Sequence, residues 1–282
     1  MLKHFITLAR PWQWYKNLVM FIPLAFSGNL FNIQSFELSL LGFAAFCLVS
    51  SVGYILNDVS DLETDKRHAE KRKRPLPSGK VSVNRALFFA LVLAVVAGYL
   101  LWFTPQLFVW LAVALFASNL VYSAWLKKVP LVDVHVIALN FLIRAYAGIV
   151  IIGLEVSFWF LFTVFVLALF LAVGKRKVEI QRYSHVKSQR VQLFYTPKIL
   201  NAMTLVLAAI LLMAYGLYTF QTGRFGERLF LTFPIATYLT FRYLRFIEQG
   251  DVVASRSELV FRDPQMLSGI LLWILVSIWA IY

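Results

Sequence analysis

The chain has 282 residues, 60% hydrophobic and 15% charged, and its mean hydropathy of +0.74 implies more apolar surface than a water-soluble core can bury. One cysteine, Cys47, excludes an internal disulfide, and the scattered histidines His4, His68, His135 and His185, with no nucleophile-elbow serine, point away from zinc, thiol-redox and serine-hydrolase chemistry. The net charge of +13 reads as membrane topology and attraction to anionic lipid, not as a nucleic-acid surface.

The bilayer is therefore the expected solvent, and the expected fold class is all-α, a polytopic membrane bundle of about nine transmembrane helices. In chain order, MLKHFITLARPWQWYKN lacks the apolar core and small-residue cleavage site of a secretory signal, so the first apolar run is expected to be kept as a span. Trp12, Trp14 and Tyr15 read as an interfacial belt where the chain meets the membrane. A span needs roughly 20 apolar residues, and the predicted spans are 18–33, 36–57, 83–103, 106–126, 132–153, 157–174, 199–220, 228–247 and 265–282. Short turns at 103–106 and 153–157 predict antiparallel hairpins, and the long polar stretches all fall on the opposite side. Of the 27 Lys and Arg, 24 share that side; Arg224 and Arg228 lie across the membrane and Arg144 within it. The positive-inside rule then places the N-terminus in the cytoplasm and the C-terminus outside a cell (plasma or inner) membrane.

The second span ends in GYILNDVSDLETDKRHAEKRKRPLPSGK. On a continuous helix Asn57, Asp61 and Asp65 are offset by about 40° in succession and Asp58 lies near 100°, so all four crowd one face while Glu63 points away. Clustered carboxylates repel unless a cation joins them, and hard oxygen ligands suit Mg²⁺ and a diphosphate. The plainer alternative is an acidic turn paired with the basic run 71–74; the turn 75–79 is expected to fold that run back over the acidic face. In the fifth span Asp133, Asn140 and Arg144 share a narrow stripe. Asp133 and Arg144 are about 16 Å apart along the axis, so the intramembrane arginine needs a partner from another element. The sixth span ends in GKRKVEIQR, a basic cluster of Lys175, Arg176 and Lys177 with Glu179, which reads equally as a positive-inside flank or an anion site. The loop 248–263 carries no assignment.

The pattern NDxxDxxxD at 57–65 with a following RP turn, on a nine-span layout, resembles the UbiA superfamily of intramembrane prenyltransferases. RPWQWYKN, HAEKRKRPLPSG and YSAWLKKVPLVDV make the likeness strongest to its phosphoribosyl-transferring branch, over nearly the whole chain; Ala69 and Leu76 depart from that pattern without removing a polar ligand. The superfamily's second acidic motif, DxxxD after the sixth span, is replaced here by GKRKVE. The resemblance implies a single domain over 1–282 that moves 5-phosphoribose from phosphoribosyl diphosphate to a polyprenyl (decaprenyl-like) phosphate in cell-envelope synthesis. It implies Mg²⁺ on Asp58, Asp61 and Asp65, oriented by Asn57. Lys16, Asn17, Arg72, Arg74, Tyr122, Lys127, Asn140, Arg144, Lys175, Arg176 and Glu179 are then the candidates for substrate binding. The alternatives are an ordinary prenyltransferase, which the missing DxxxD disfavours, and a lipid-phosphate transporter, for which no inverted repeat is evident.

Overall fold

Apolar runs without charges leave the backbone no partner but itself, so they fold as helices whose every internal N–H is satisfied along the chain. The computed structural model describes residues 2–68, 71–183, 194–221 and 225–282, apart from the side chains of Leu2, Ser257 and Glu258. Ala69, His185 and Arg224 therefore lie outside the described residues. The described secondary structure is all helical: α1 Leu2–Ala9, α2 Phe21–Phe26, α3 Ile33–Ser60, α4 Leu62–Lys66, α5 Val83–Trp102, α6 Gln106–Ala124, α7 Val132–Ile151, α8 Phe158–Tyr183, α9 Pro197–Gln221, α10 Gly226–Leu229, α11 Phe233–Glu248, α12 Val252–Ser255 and α13 Pro264–Ile281.

Among the described residues seven helices, α3, α5, α6, α7, α8, α9 and α13, are long and apolar enough to cross a membrane. The first and eighth predicted spans are helical as well, but in pieces. Pro11 opens a ten-residue 3-10 segment, Pro11–Met20, that passes into the short α2. The eighth is divided between α10, a 3-10 turn Phe230–Thr232 and the 16-residue α11, which Pro234 restarts at its N-terminus. Helix starts follow local chemistry. Asn32 accepts from the N–H of Ser35 at 3.0 Å to cap α3, and Asp263 accepts from Met266 at 2.7 Å to cap α13 just before Pro264. The connection from α7 to α8 turns at Gly153, whose φ of 66° an L side chain would resist.

The chain divides into two compact units, the first being 1–24, 29–124 and 143–155, the second 25–28, 125–142 and 156–282. Helix α7 runs through both. In the first unit Leu8, Val52, Ile55, Leu76, Val81, Ala86 and Ala90 form one core cluster. Met20, Phe46, Phe108, Ala112, Leu115, Ala147 and Ile151 form another, with the Phe46 and Phe108 rings 5.0 Å apart. In the second unit, one cluster gathers Phe170, Val178, Leu211, Tyr243, Phe246 and Ile247, and another Val134, Ala138, Leu169, Val173, Tyr195 and Leu200. Large apolar side chains such as Phe88, Leu91, Val95, Tyr99, Leu271 and Leu275 stay exposed along α5 and α13, as lipid-facing positions do.

Candidate functional site

In the first unit the acidic end of α3 is gathered by basic residues. Helix α3 stops at Asp61, whose N–H still bonds the Asn57 carbonyl at 2.9 Å, and the chain resumes as α4 with the Asp65 N–H on the Asp61 carbonyl at 2.8 Å. Asp58 and Asp65 are 2% and 1% exposed. A single nitrogen, Arg74 Nη1, donates to Asp58 Oδ1 at 3.2 Å and to Asp65 Oδ2 at 2.8 Å. Arg10 Nη2 donates to Asp58 Oδ1 at 2.5 Å, and Lys71 Nζ lies 3.2 Å from Asp65 Oδ1. Arg74 reaches back because the turn behind it is pinned. Ser78, Gly79 and Val81 donate backbone N–H groups to Arg74, Leu76 and Pro75, and Leu76 and Val81 are buried in the core. Glu63 points away, exposed and paired with Lys66, whose hydrogen bond holds its carboxyl below the usual range.

Asp61 stands between α3 and α4, half-buried, and the helical backbone bonds continue through it. Among the described residues no three His, Cys, Asp or Glu side chains converge as metal ligands. Two carboxylates do converge on one cationic atom, and the Asn57 Oδ1 at the same helix end is buried without a hydrogen-bond partner among the described residues. Hard oxygen donors that already share a cation suit a divalent ion with Arg74 drawn aside.

Deeper in the same unit, Arg144 on α7 is 4% exposed and donates through Nε to Asn17 Oδ1 at 2.7 Å. The Asn17 amide donates in turn to Cys47 Sγ at 3.2 Å. The partner that the intramembrane arginine requires thus comes from the 3-10 segment. Tyr122 and Lys16 are half-buried in this unit, and Arg72 is exposed.

The second unit holds its own constellation at the end of α8. Asp133, 0% exposed, accepts hydrogen bonds from Arg176 and from the Tyr195 hydroxyl at 2.6 Å. That hydroxyl accepts from the Leu131 N–H at 2.8 Å. Burial and the bond to Asp133 raise the Tyr195 phenol well above its ordinary value, so it holds its proton. Arg176 also donates to Glu179 at 3.3 Å, and Lys177, 2% exposed, pairs with Glu248 at 2.5 Å. Two of the three cations of GKRKVE thus face carboxylates, while Lys175 is exposed; Asn140 is buried and Lys127 half-buried. Sequence reading did not single out Arg10, Lys71 or Tyr195 as site residues. Arg10 was within reach, since it begins the RPWQWYKN run; Tyr195 was not, since only folding brings it to Asp133.

Residues 18–262 match the model of the UbiA prenyltransferase family. The chain is 31% identical to a decaprenyl-phosphate phosphoribosyltransferase of Mycolicibacterium smegmatis, over 95% of this chain and 89% of that one. It is 30% identical to the protein of the same name in Corynebacterium glutamicum, over 98% and 86%. The fold is similar to that of a solved UbiA homolog from Archaeoglobus fulgidus bound to DMAPP and Mg²⁺, with a TM-score of 0.74, 20% identity and 99% of both chains covered.

Proposed function

Since this chain belongs to the UbiA prenyltransferase family and is a membrane transferase, we propose that it moves 5-phosphoribose from phosphoribosyl diphosphate to a polyprenyl phosphate, releasing diphosphate. The observation that carries the reading is the pair of buried carboxylates, Asp58 and Asp65, sharing one guanidinium nitrogen of Arg74 with Arg10 and Lys71 beside them. Such a pair can take a divalent ion, whose added charge an incoming diphosphate offsets. The relatives named as phosphoribosyltransferases, and the basic α8 terminus in place of a second acidic motif, favour a phosphoribosyl donor over a prenyl diphosphate.

Asp58, Asp61 and Asp65, with the Asn57 Oδ1, would hold Mg²⁺, which supplies charge neutralisation for the leaving diphosphate. Arg74 and Lys71 stand where they can donate charge-assisted hydrogen bonds to diphosphate oxygens as charge builds there. The acceptor is a phosphate monoester, largely ionised near neutral pH because its second pKa is about 6, so the chain needs no general base. Its oxygen forms the new bond to ribose C1 as the C1–diphosphate bond breaks, and attack from the opposite face inverts C1. Lys16, Asn17, Arg72, Tyr122, Lys127, Asn140, Arg144, Lys175, Arg176 and Glu179 are the candidates that orient the sugar, its 5-phosphate and the acceptor. A single domain with its site on the cytoplasmic side belongs to the same proposal.

The test is incubation of purified protein with Mg²⁺, labelled phosphoribosyl diphosphate and a polyprenyl monophosphate, followed by mass analysis of the extracted lipid. A lipid that gains a ribose phosphate only when Mg²⁺ is present is the expected result. Product formed only from a prenyl diphosphate and a non-lipid acceptor would instead assign ordinary prenyl transfer.

A further inference from the structure

Arg10 has φ 51° and ψ 56°, the left-handed region that residues other than glycine avoid, and it stands immediately before Pro11. A backbone held there persists only where its surroundings over-determine it, and such positions concentrate at binding sites. Both flanks of Arg10 are tied to α3. On one side Leu8 and Ala9 are buried and the Ala9 carbonyl accepts from Ser51 Oγ at 2.8 Å; on the other, Trp14 Nε1 donates to the same Ser51 Oγ at 3.0 Å. The guanidinium lies over the Tyr54 ring, 5.3 Å from its centroid, and donates to Asp58.

Three cations meet two buried carboxylates here, and they differ in how free they are to leave. The Lys71 and Arg74 side chains are 41% and 33% exposed, whereas that of Arg10 is 19% exposed and is stacked and backbone-pinned. A divalent ion joining Asp58 and Asp65 adds charge that only an incoming anion offsets, and Arg10 is the cation least able to withdraw. We propose that Arg10 is a diphosphate-binding residue of the Asp58/Asp65 site, its planar fork fixed by Tyr54 for two parallel bonds to phosphate oxygens; this rests on the transferase reading above.

Isothermal titration of inorganic pyrophosphate, with Mg²⁺, into the purified full chain in detergent tests this without turnover. Arg10→Gly removes the guanidinium while suiting the left-handed backbone, so the arm stays in place. Pyrophosphate affinity is expected to fall about 10- to 100-fold in Arg10→Gly, as for loss of a charge-assisted pair, and by less in Arg10→Lys. The KM for phosphoribosyl diphosphate should rise with it while the KM for polyprenyl phosphate holds. Unchanged pyrophosphate affinity in Arg10→Gly overturns the proposal, as does a joint rise of both KM values with a lowered melting midpoint, the mark of a purely structural arm. A wild-type chain that binds pyrophosphate yet makes no phosphoribosyl lipid overturns the transferase reading alone, and the pyrophosphate comparison then still decides Arg10. A wild-type chain that binds no pyrophosphate overturns both.

Discussion

Asp58 and Asp65 are almost fully buried and Glu63, between them in sequence, is exposed, so the three separate a site carboxylate from a surface one. Asp58→Asn is expected to cut lipid-product formation at least about 100-fold, because an amide binds a divalent ion far more weakly than a carboxylate. Glu63→Gln, which removes only an exposed ion pair, should leave the rate and the melting midpoint unchanged. Asn17→Ala takes away the Oδ1 that Arg144 donates to and should cost about 2 kcal/mol, read as a lower melting midpoint in detergent. Tyr195 carries a pH signature. Its phenol is raised in the folded state, so its contribution is complete below the unfolded value near about 10 and is lost as pH rises through the folded one. Melting scans through alkaline pH should therefore decline less steeply in Tyr195→Phe than in wild type. At this scale the sequence marked Asp58, Asp65 and Arg74 through spacing and turn chemistry.

The helices themselves were largely legible, since a run of apolar residues long enough to span a membrane has one way to satisfy its backbone. The short connections expected at 103–106 and 153–157 recur, 103–105 joining α5 to α6 and 152–157 joining α7 to α8. Helix α8 continues to Tyr183, past the predicted limit of 174, because no Gly-Pro break follows the apolar run. This extension sets Arg176 and Glu179 three residues apart on one helix and in contact. Close approaches were not legible. A Cβ at Gly148 of α7 would run into the Met20 backbone, whereas one at Gly98 of α5 would meet no atom within 4 Å. Gly148→Ala should thus destabilise by roughly 1–3 kcal/mol, as overpacking does, and Gly98→Ala should not lower the midpoint. Thermal unfolding of the two variants side by side makes the comparison.

For the whole molecule, the distribution of Lys and Arg makes one topological prediction. A cysteine at Lys73 should react with a membrane-impermeant maleimide only after cells are opened, and one at Gln106 should react in intact cells; both positions are exposed, and the native Cys47 is buried. The reverse pattern would overturn the cytoplasmic placement of the N-terminus. Composition and the order of apolar runs along the sequence determined that the chain lives in a membrane, that it is helical, and where its long helices run, because hydropathy and backbone hydrogen bonding act locally along the chain. The acidic stretch at 57–65, and with it the family, was legible for the same reason: its residues are neighbours in sequence. What only the tertiary structure decided is which charges meet. Arg10 on Asp58, Asn17 on Arg144, Arg176 and Tyr195 on Asp133, and Lys177 on Glu248 join residues that are between 43 and 127 positions apart. Those pairings follow from packing of side chains between elements, and no period in the sequence encodes them.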